Sequence, residues 1–441
     1  MFRLSEEQVL TIPLLKKIID TNKTTIDRYQ KLENYYLGKH EIIKRQMADT
    51  SKPNNKIVNP YPQYISDVLS GYFLGEPITY TSEDTEAVEY LNNLLVYNDS
   101  ADEDISLAKN QSIYGKAVEM LYIDADGITR IASINPKEVI FVYDDTVEAD
   151  ILFAIRLIPV HDLLNDKNYY NIEVYSRTDI SYYKADEYFN NISVAGEPKE
   201  HYFGLVPFVE YKNNENDLGD FETIISLIDA YDKLESDTLN DFEYFVDCYL
   251  ALTNVTADSE DIKAMKQNRV LLLDENSKAE WLTKASNDTS IENLKNRIKA
   301  DIHKFAKVPD LSDENFASNA SGVAIKYKLY GTSIVISAKE RKFKKGLQRR
   351  IELIYNIEAK AGSTYDWRAI DISFTRNLPS NNTEIADIVS KLSSIVSNET
   401  LLAQIPFVTN VEQEKERIRQ EKEENPLFYD SFENAFQNEQ E

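Results

Sequence analysis

Cysteine is nearly absent. Cys248 stands alone among 441 residues, which excludes an intrachain disulfide framework and any cysteine-rich zinc site. A chain without disulfides suits a reducing compartment. Cys248 sits among carboxylates that disfavour a thiolate, so a buried structural thiol is expected there. Histidine is scarce too: His40, His161, His201 and His303 are scattered, and none has a second histidine at metal-ligand spacing. With only 12 glycines, the chain has neither a G-x-x-x-x-G-K-[ST] nor a G-x-G-x-x-G phosphate loop, and it has no G-x-S-x-G elbow. No apolar run approaches the roughly 20 residues of a membrane span. The longest, such as Val139–Tyr143, are strand-sized, so no membrane partner is expected. The opening MFRLSEEQVL lacks the basic segment and apolar run of an export signal. These absences predict no catalytic residue, no metal and no cofactor.

Acidity is plentiful. The net charge is −26, against the basic balance expected of a protein that grips nucleic acid by displacing counterions. Two readings stand at this point: solubility, or a protein that surrounds a polyanion without holding it. With 42% hydrophobic and 28% charged residues, a packed core is feasible, and the length allows two or three domains.

The patterning is mixed. Residues 6–46 read as helical, with Leu14, Leu15, Ile18, Ile19, Ile26, Tyr29 and Leu32 mostly three and four apart. After the Asn59-Pro60-Tyr61-Pro62 break, helices are expected at 63–74, 86–97 and 101–114. From Gly115 the period shortens to two. Residues 117–123 and 128–134 form a hairpin signal around Asp126-Gly127, and more strands are expected at 139–143, 153–158, 172–176, 180–183 and 208–211. Residues 219–251 give the strongest helix signal. They carry nine acidic residues, among them Asp229, Asp232, Asp237, Asp241, Glu243 and Asp247, and one basic residue, Lys233. A small hairpin is expected at 268–284 and a helix at 290–307, stopped by Pro309. The polar stretch 310–321 follows, then a long helix over 322–360 with basic residues Lys339, Arg341, Lys342, Lys344, Lys345, Arg349 and Arg350. A strand at 370–375 and helices at 383–403 and 410–424 complete the reading, with an acidic tail beyond.

Clustered carboxylates can serve a metal-dependent nuclease or phosphotransferase. On a helix, however, Asp241 and Glu243 point about 200° apart; only Glu243 and Asp247 share a face, and a solvated face is the ordinary explanation. A monomeric scaffold whose long helices bind a partner is the other alternative.

Several segments, read in order, are specific. They are YYLGKHEIIKR at 35–45, NKIVNPYPQYISDVLSGYFLGEPITY at 55–80, SIYGKAVEMLYID at 112–124, INPKEVIFVYDD at 134–145 and VPDLSDENFASNASGVAIKYKLYG at 308–331. Together they resemble the portal proteins of siphophages and prophages of Gram-positive bacteria, over about residues 10 to 380.

The resemblance implies an α+β, mainly helical, ring-forming fold with an antiparallel β-rich wing and a small α/β clip. In that plan 1–218 is the wing, 219–251 a stem helix, 252–289 the clip and 290–309 the second stem helix. Residues 310–321 are a tunnel loop, 322–382 the long wing helix with a returning strand, and 383–441 the crown and tail. The implied DNA tunnel loop holds Asp310, Ser312, Asp313, Glu314, Asn315, Phe316, Ser318 and Asn319. The implied acidic stem holds Asp229, Asp232, Asp237, Asp241, Glu243 and Asp247. Val270, Leu272 and Trp281 are the clip docking candidates; Trp281 either anchors a partner or packs within the clip. The implied partners are further copies of the chain in a ring, usually of twelve, and double-stranded DNA in the channel. They also include the terminase large subunit, a head-completion adaptor, and the major capsid and scaffolding proteins. The implied location is the portal vertex of the virion, reached through the host cytoplasm during assembly.

Overall fold

The structure is a computed structural model that describes residues 2–50, 52–246, 249–254, 258–268, 276–282, 288–311, 327–376, 382–405, 408 and 411–424. The chain divides into two compact units, one of Met1–Asp310 with Leu329–Asn377, the other of Leu311–Lys328 with Leu378–Glu441.

The first unit is α+β. Helix α1 (Ile12–Tyr36) is shorter than its apolar period suggests. Pro13 lacks an N–H and fits only the first turn, which sets the start. Gly38 at φ +73° turns the chain away after the end, and residues 41–44 form a separate 3-10 turn. Helices α2 (Tyr61–Leu74), α3 (Thr85–Tyr97) and α4 (Ser100–Tyr114) follow.

The strands are β1 (Phe2–Leu4), β2 (Thr79–Thr81), β3 (Lys116–Ile123), β4 (Thr129–Ile134), β5 (Val139–Asp144), β6 (Ile151–Asp162), β7 (Lys167–Tyr175), β8 (Asp179–Asp186), β9 (Ile192–Val194), β10 (Lys199–Glu200) and β11 (Phe208–Lys212). One sheet runs β1-β5-β6-β7-β8-β10 with β9 also on β8; a second runs β11-β3-β4. β1 lies parallel to β5, and the other ladders of these two sheets are antiparallel.

Alternation along β5 covers the larger sheet on both faces. Ile140 and Val142 join Ile155, Leu157, Ile172 and Val174 under Leu15, Ile18 and Ile19 of α1. Val139, Phe141 and Tyr143 point the other way, onto Val118, Met120, Ile134 and Phe208 of the second sheet. Removing this much apolar surface from water is the main stabilising force of the unit.

Helix α5 (Ile225–Val246) follows a 3-10 turn at Glu222–Ile224. The helix expected to reach 251 ends earlier, because Tyr249–Thr253 is a strand, β12, paired antiparallel with β13 (Lys278–Leu282). Its aromatic and β-branched residues favour extended backbone once a partner strand is present. Residues 278–282 pair with 249–253, and the first half of the hairpin expected within 268–284 falls on 269–275, outside the described residues. Helix α6 (Ser259–Asn268) lies between these strands in sequence.

Helix α7 (Asp288–Ala306) packs on α5, with Ile228 and Ile302 both fully buried. Helix α8 (Tyr330–Ala361) is about 48 Å long at 1.5 Å per residue. It crosses β11 at Gly346, where an added Cβ would stand 2.4 Å from the Tyr211 ring. Strand β14 (Asp371–Ser373) then pairs with β2.

In the second unit, the helix expected over 383–403 is two: α9 (Asn382–Leu392) and α10 (Asn398–Leu402). The Ser397 side chain caps the second by accepting from the Thr400 N–H, which starts a new helix there. Helix α11 (Val411–Glu424) joins α10 through a Lys415–Glu399 ion pair of 2.9 Å.

Candidate functional site: the acidic helix and the basic helix

Asp229, Asp232, Ser236, Asn240 and Glu243 recur at three and four along α5 and make one polar strip. A strap running from α1 to the start of α2 lies along it. The Tyr35 hydroxyl donates to Asp229 at 2.7 Å. His40 stacks on Tyr35 and meets Asp232 through Nδ1 at 2.5 Å; its Nε2 donates to the Tyr35 carbonyl at 3.0 Å. Asp232 also accepts from the Asn59 backbone N–H at 2.8 Å and its amide at 3.0 Å. Ser236 accepts from the Ile57 N–H, and Asn240 from the Asn55 N–H and amide. Arg45 reaches Asp237 at 2.6 Å, and the Asn55 amide donates to Glu243 at 2.8 Å. At the helix start, Arg28 makes two bonds to Glu222.

Of the acidic-stem residues, Asp232 is buried under the strap, while Asp229 and Asp237 are partly exposed and bonded to it. Buried or half-buried carboxylates need donors, and the strap supplies them. The His40 and Asp232 side chains are both 0% exposed. Burial, followed by the Asp229 hydrogen bond, pushes the Tyr35 hydroxyl pKa up. Asp241 and Glu243 are exposed, and Asp247 lies outside the described residues. The strip's spacing is legible in the sequence. His40, Arg45, Asn55 and Asn59 are not, because they stand far away along the chain.

The basic run on α8 is mostly internal. Lys339 pairs with Asp220, both buried; Lys342 reaches Glu215 at 2.7 Å and Arg349 reaches Glu352 at 2.9 Å. The Lys344 ammonium donates to the Ile372 carbonyl. Arg350 is fully buried between Asp104 at 2.6 Å and Glu119 at 2.7 Å, and the Tyr211 hydroxyl donates to Glu119. Burial opposes the guanidinium charge, but the two carboxylates outweigh it and raise its pKa. Burial raises the Glu119 pKa, against the opposing pull of Arg350.

Asp310, assigned to the tunnel loop, ion-pairs with Lys299 of α7 at 2.8 Å, so it anchors the segment rather than hanging free. Ser312, Asp313, Glu314, Asn315, Phe316, Ser318 and Asn319 lie outside the described residues, as do Cys248, Val270 and Leu272. Trp281 is on β13, opposite Leu250 in register. Among the described residues no group of three His, Cys, Asp or Glu could hold a metal ion, and no helix is long and apolar enough to cross a membrane.

A family model described as phage portal protein, SPP1 Gp6-like, matches residues 15–426. The portal protein of Bacillus phage SPP1 is 26% identical over 446 residues, covering 92% of this chain and 86% of that one. The portal protein of Clostridium phage phiCD119 is 23% identical over 439 residues, covering 92% and 95%. Among solved structures, a chain in the neck of an empty GTA particle, computed with C6 symmetry, aligns at a TM-score of 0.46 and 10% identity. It covers 79% of this chain and 90% of that chain.

Proposed function

The chain belongs to the SPP1 Gp6-like phage portal protein family, and from that premise we propose how it works. Its function is that of a portal, a ring-forming structural subunit of the phage capsid. In our reading twelve copies close the ring at one capsid vertex, and double-stranded DNA passes through it during packaging and ejection. The terminase large subunit and later a head-completion adaptor dock at the clip, 252–289, through Val270, Leu272 and Trp281. The major capsid and scaffolding proteins hold the wing. Assembly takes place in the host cytoplasm, and the ring itself hydrolyses no nucleotide.

The observation that carries this reading is the match of the family over nearly the whole chain, with two full-length portal relatives beside it. The acidity follows from the task. Each phosphate neutralised by a protein cation adds affinity, so a conduit that must release DNA at every step does better without exposed cations on its wall. With Asp229, Asp232 and Asp237 held by the strap, that role falls to Asp241, Glu243 and Asp247 and to the loop at 310–321. That loop carries three acids and no lysine or arginine.

Two measurements test the proposal. Native mass spectrometry of the purified chain should give closed rings above half a megadalton, as twelve 50.8 kDa subunits require. A monomer at micromolar concentration overturns it. Replacing Asp313 and Glu314 with Lys should leave the ring intact and slow packaging, more so at low salt, where screening is weaker. Normal packaging by that variant at low salt removes the loop from the channel.

A further inference from the structure

Two exposed helix stripes in this chain complement one another. On α8, residues Tyr330, Ile334, Ala338, Arg341 and Lys345 recur at four, four, three and four, and all five are exposed. Tyr330 is 65% exposed and Ile334 is 52% exposed, large apolar side chains open to water. Of the seven basic residues between 339 and 350, Arg341 and Lys345 alone are exposed. Neither makes an ion pair among the described residues, while Lys339, Lys342, Arg349 and Arg350 all do.

On α3, residues Glu86, Glu89, Asn92, Asn93, Val96 and Tyr97 are exposed. Val96 is 77% exposed, and Glu86 and Glu89 likewise make no ion pair among the described residues. A depression of about 370 Å³ runs beside this stripe, lined in part by Thr85, Glu89, Asn92 and Asn93.

The spacings match in opposite directions. Seven residues separate Ile334 from Arg341, and seven separate Val96 from Glu89. Lys345 lies eleven beyond Ile334, and Glu86 lies ten before Val96. At 1.5 Å per residue the apolar-to-charge offsets are about 10 Å and about 16 Å on both helices. Resting on the ring reading above, we propose that the α8 stripe of one copy packs antiparallel on the α3 stripe of the next copy. Ile334 meets Val96, Arg341 meets Glu89 and Lys345 meets Glu86. The Arg341 stem enters the depression beside Glu89.

The contact uses two different surfaces, one on each side, so it is heterologous and closes into a ring when the rotation between copies permits. It forms one strip of a larger interface, since a stable interface of standard size buries about 1,600 Å². DNA is the competing occupant of a basic stripe. Two outward cations beside an exposed tyrosine and isoleucine suit a protein face better than a phosphate track, where affinity grows with the number of neutralised charges.

The experiment uses the full-length chain with Cys248→Ser. Val96→Cys and Ile334→Cys together, treated with a short bis-maleimide, should give a ladder of covalent oligomers from assembled rings. Each single cysteine variant should stay monomeric on a denaturing gel. In parallel, Arg341→Glu with Lys345→Glu, and separately Glu86→Lys with Glu89→Lys, should each raise the assembly midpoint concentration roughly tenfold or more, because like charges then face each other. All four reversals together should restore assembly to within about threefold of the original. Intact rings without a ladder, or reversals that leave the midpoint unchanged, overturn the α3–α8 contact and leave the ring reading standing. Rings that assemble normally with the Arg341 and Lys345 reversals but lose DNA retention assign the stripe to DNA and overturn it too. An unmodified chain that stays monomeric sinks the ring reading and this contact together.

Discussion

The larger sheet and the strap-facing side of the acidic helix are both covered, and they are held by opposite means. Across the sheet, Ile155, Leu157, Ile172 and Val174 lie against Leu15, Ile18 and Ile19 in one apolar cluster. Along α5, the contact with the strap is a row of carboxylates, amides and a histidine. An apolar cluster is held by close packing that has no preferred direction. A polar strip is directional, because a donor moved by an ångström leaves a buried acceptor unpaired. The strap thus fixes the position of α5 along its axis, and the sheet supplies bulk stability.

Breaking the strap at its centre should have the largest effect. Asp232→Ala removes the partner of His40 and of both Asn59 donors, leaving buried polar groups unpaired. We expect a loss of about 3–5 kcal/mol in the opening free energy of α5, read by hydrogen exchange of its amides. An unchanged exchange rate would contradict the division of labour drawn here. In the sheet, Ile155→Ala should cost about 3 kcal/mol through lost burial and the cavity left, and should affect β5–β7 while sparing α5. Uniform loosening of both regions would show that they are one cooperative unit.

Arg45→Ala tests the strap's edge. Its partner Asp237 is 46% exposed, so the expected cost is about 0.5–1 kcal/mol, shrinking further in high salt. A loss as large as that of Asp232→Ala would mean that the strip is equally demanding along its length.

The smallest effect concerns acid. His201, just past β10, donates through Nε2 to the Ser176 carbonyl at 2.9 Å, while its Nδ1 is buried without a hydrogen-bond partner. Burial lowers its pKa below the ordinary 6.5. The unfolded chain then binds the proton more readily, so this residue's contribution is complete above 6.5 and falls as pH drops below it. His201→Gln should flatten that part of the pH profile, measured by thermal unfolding between pH 7 and 5, and an unchanged slope would exclude the residue as its source.

Much of this fold was legible in local pattern, and what was missed shares a cause. Helices α1 to α4, α7 and most of the strands β3 to β8 follow from apolar periods or, for β5 with both faces covered, from a continuous apolar run. Strand β12 was hidden because 249–251 continues the α5 period, and only pairing with 278–282, almost thirty residues on, decides its state. Strand β1 is three residues long and depends on β5, about 140 residues away. For the site, the polar spacing on α5 was visible, but spacing does not reveal whether such a face meets water, DNA or another part of the chain. The basic run on α8 was equally visible, but not its partners: Lys339, Lys342, Arg349 and Arg350 form ion pairs.

The distance spanned by the strap has a consequence for how the protein is made. Arg28, Tyr35, His40 and Arg45 find their partners 192 to 194 residues later. At a synthesis rate of about 5–20 residues per second, the strap leaves the ribosome roughly 10–40 seconds before Asp232 exists. During that interval Tyr35 and His40 lack their carboxylate partners Asp229 and Asp232, so the acidic helix docks only once the residues between them have been translated. Completion of α5 is therefore the event that commits the nascent chain, and slowing translation just after residue 246 should raise the yield of assembled rings.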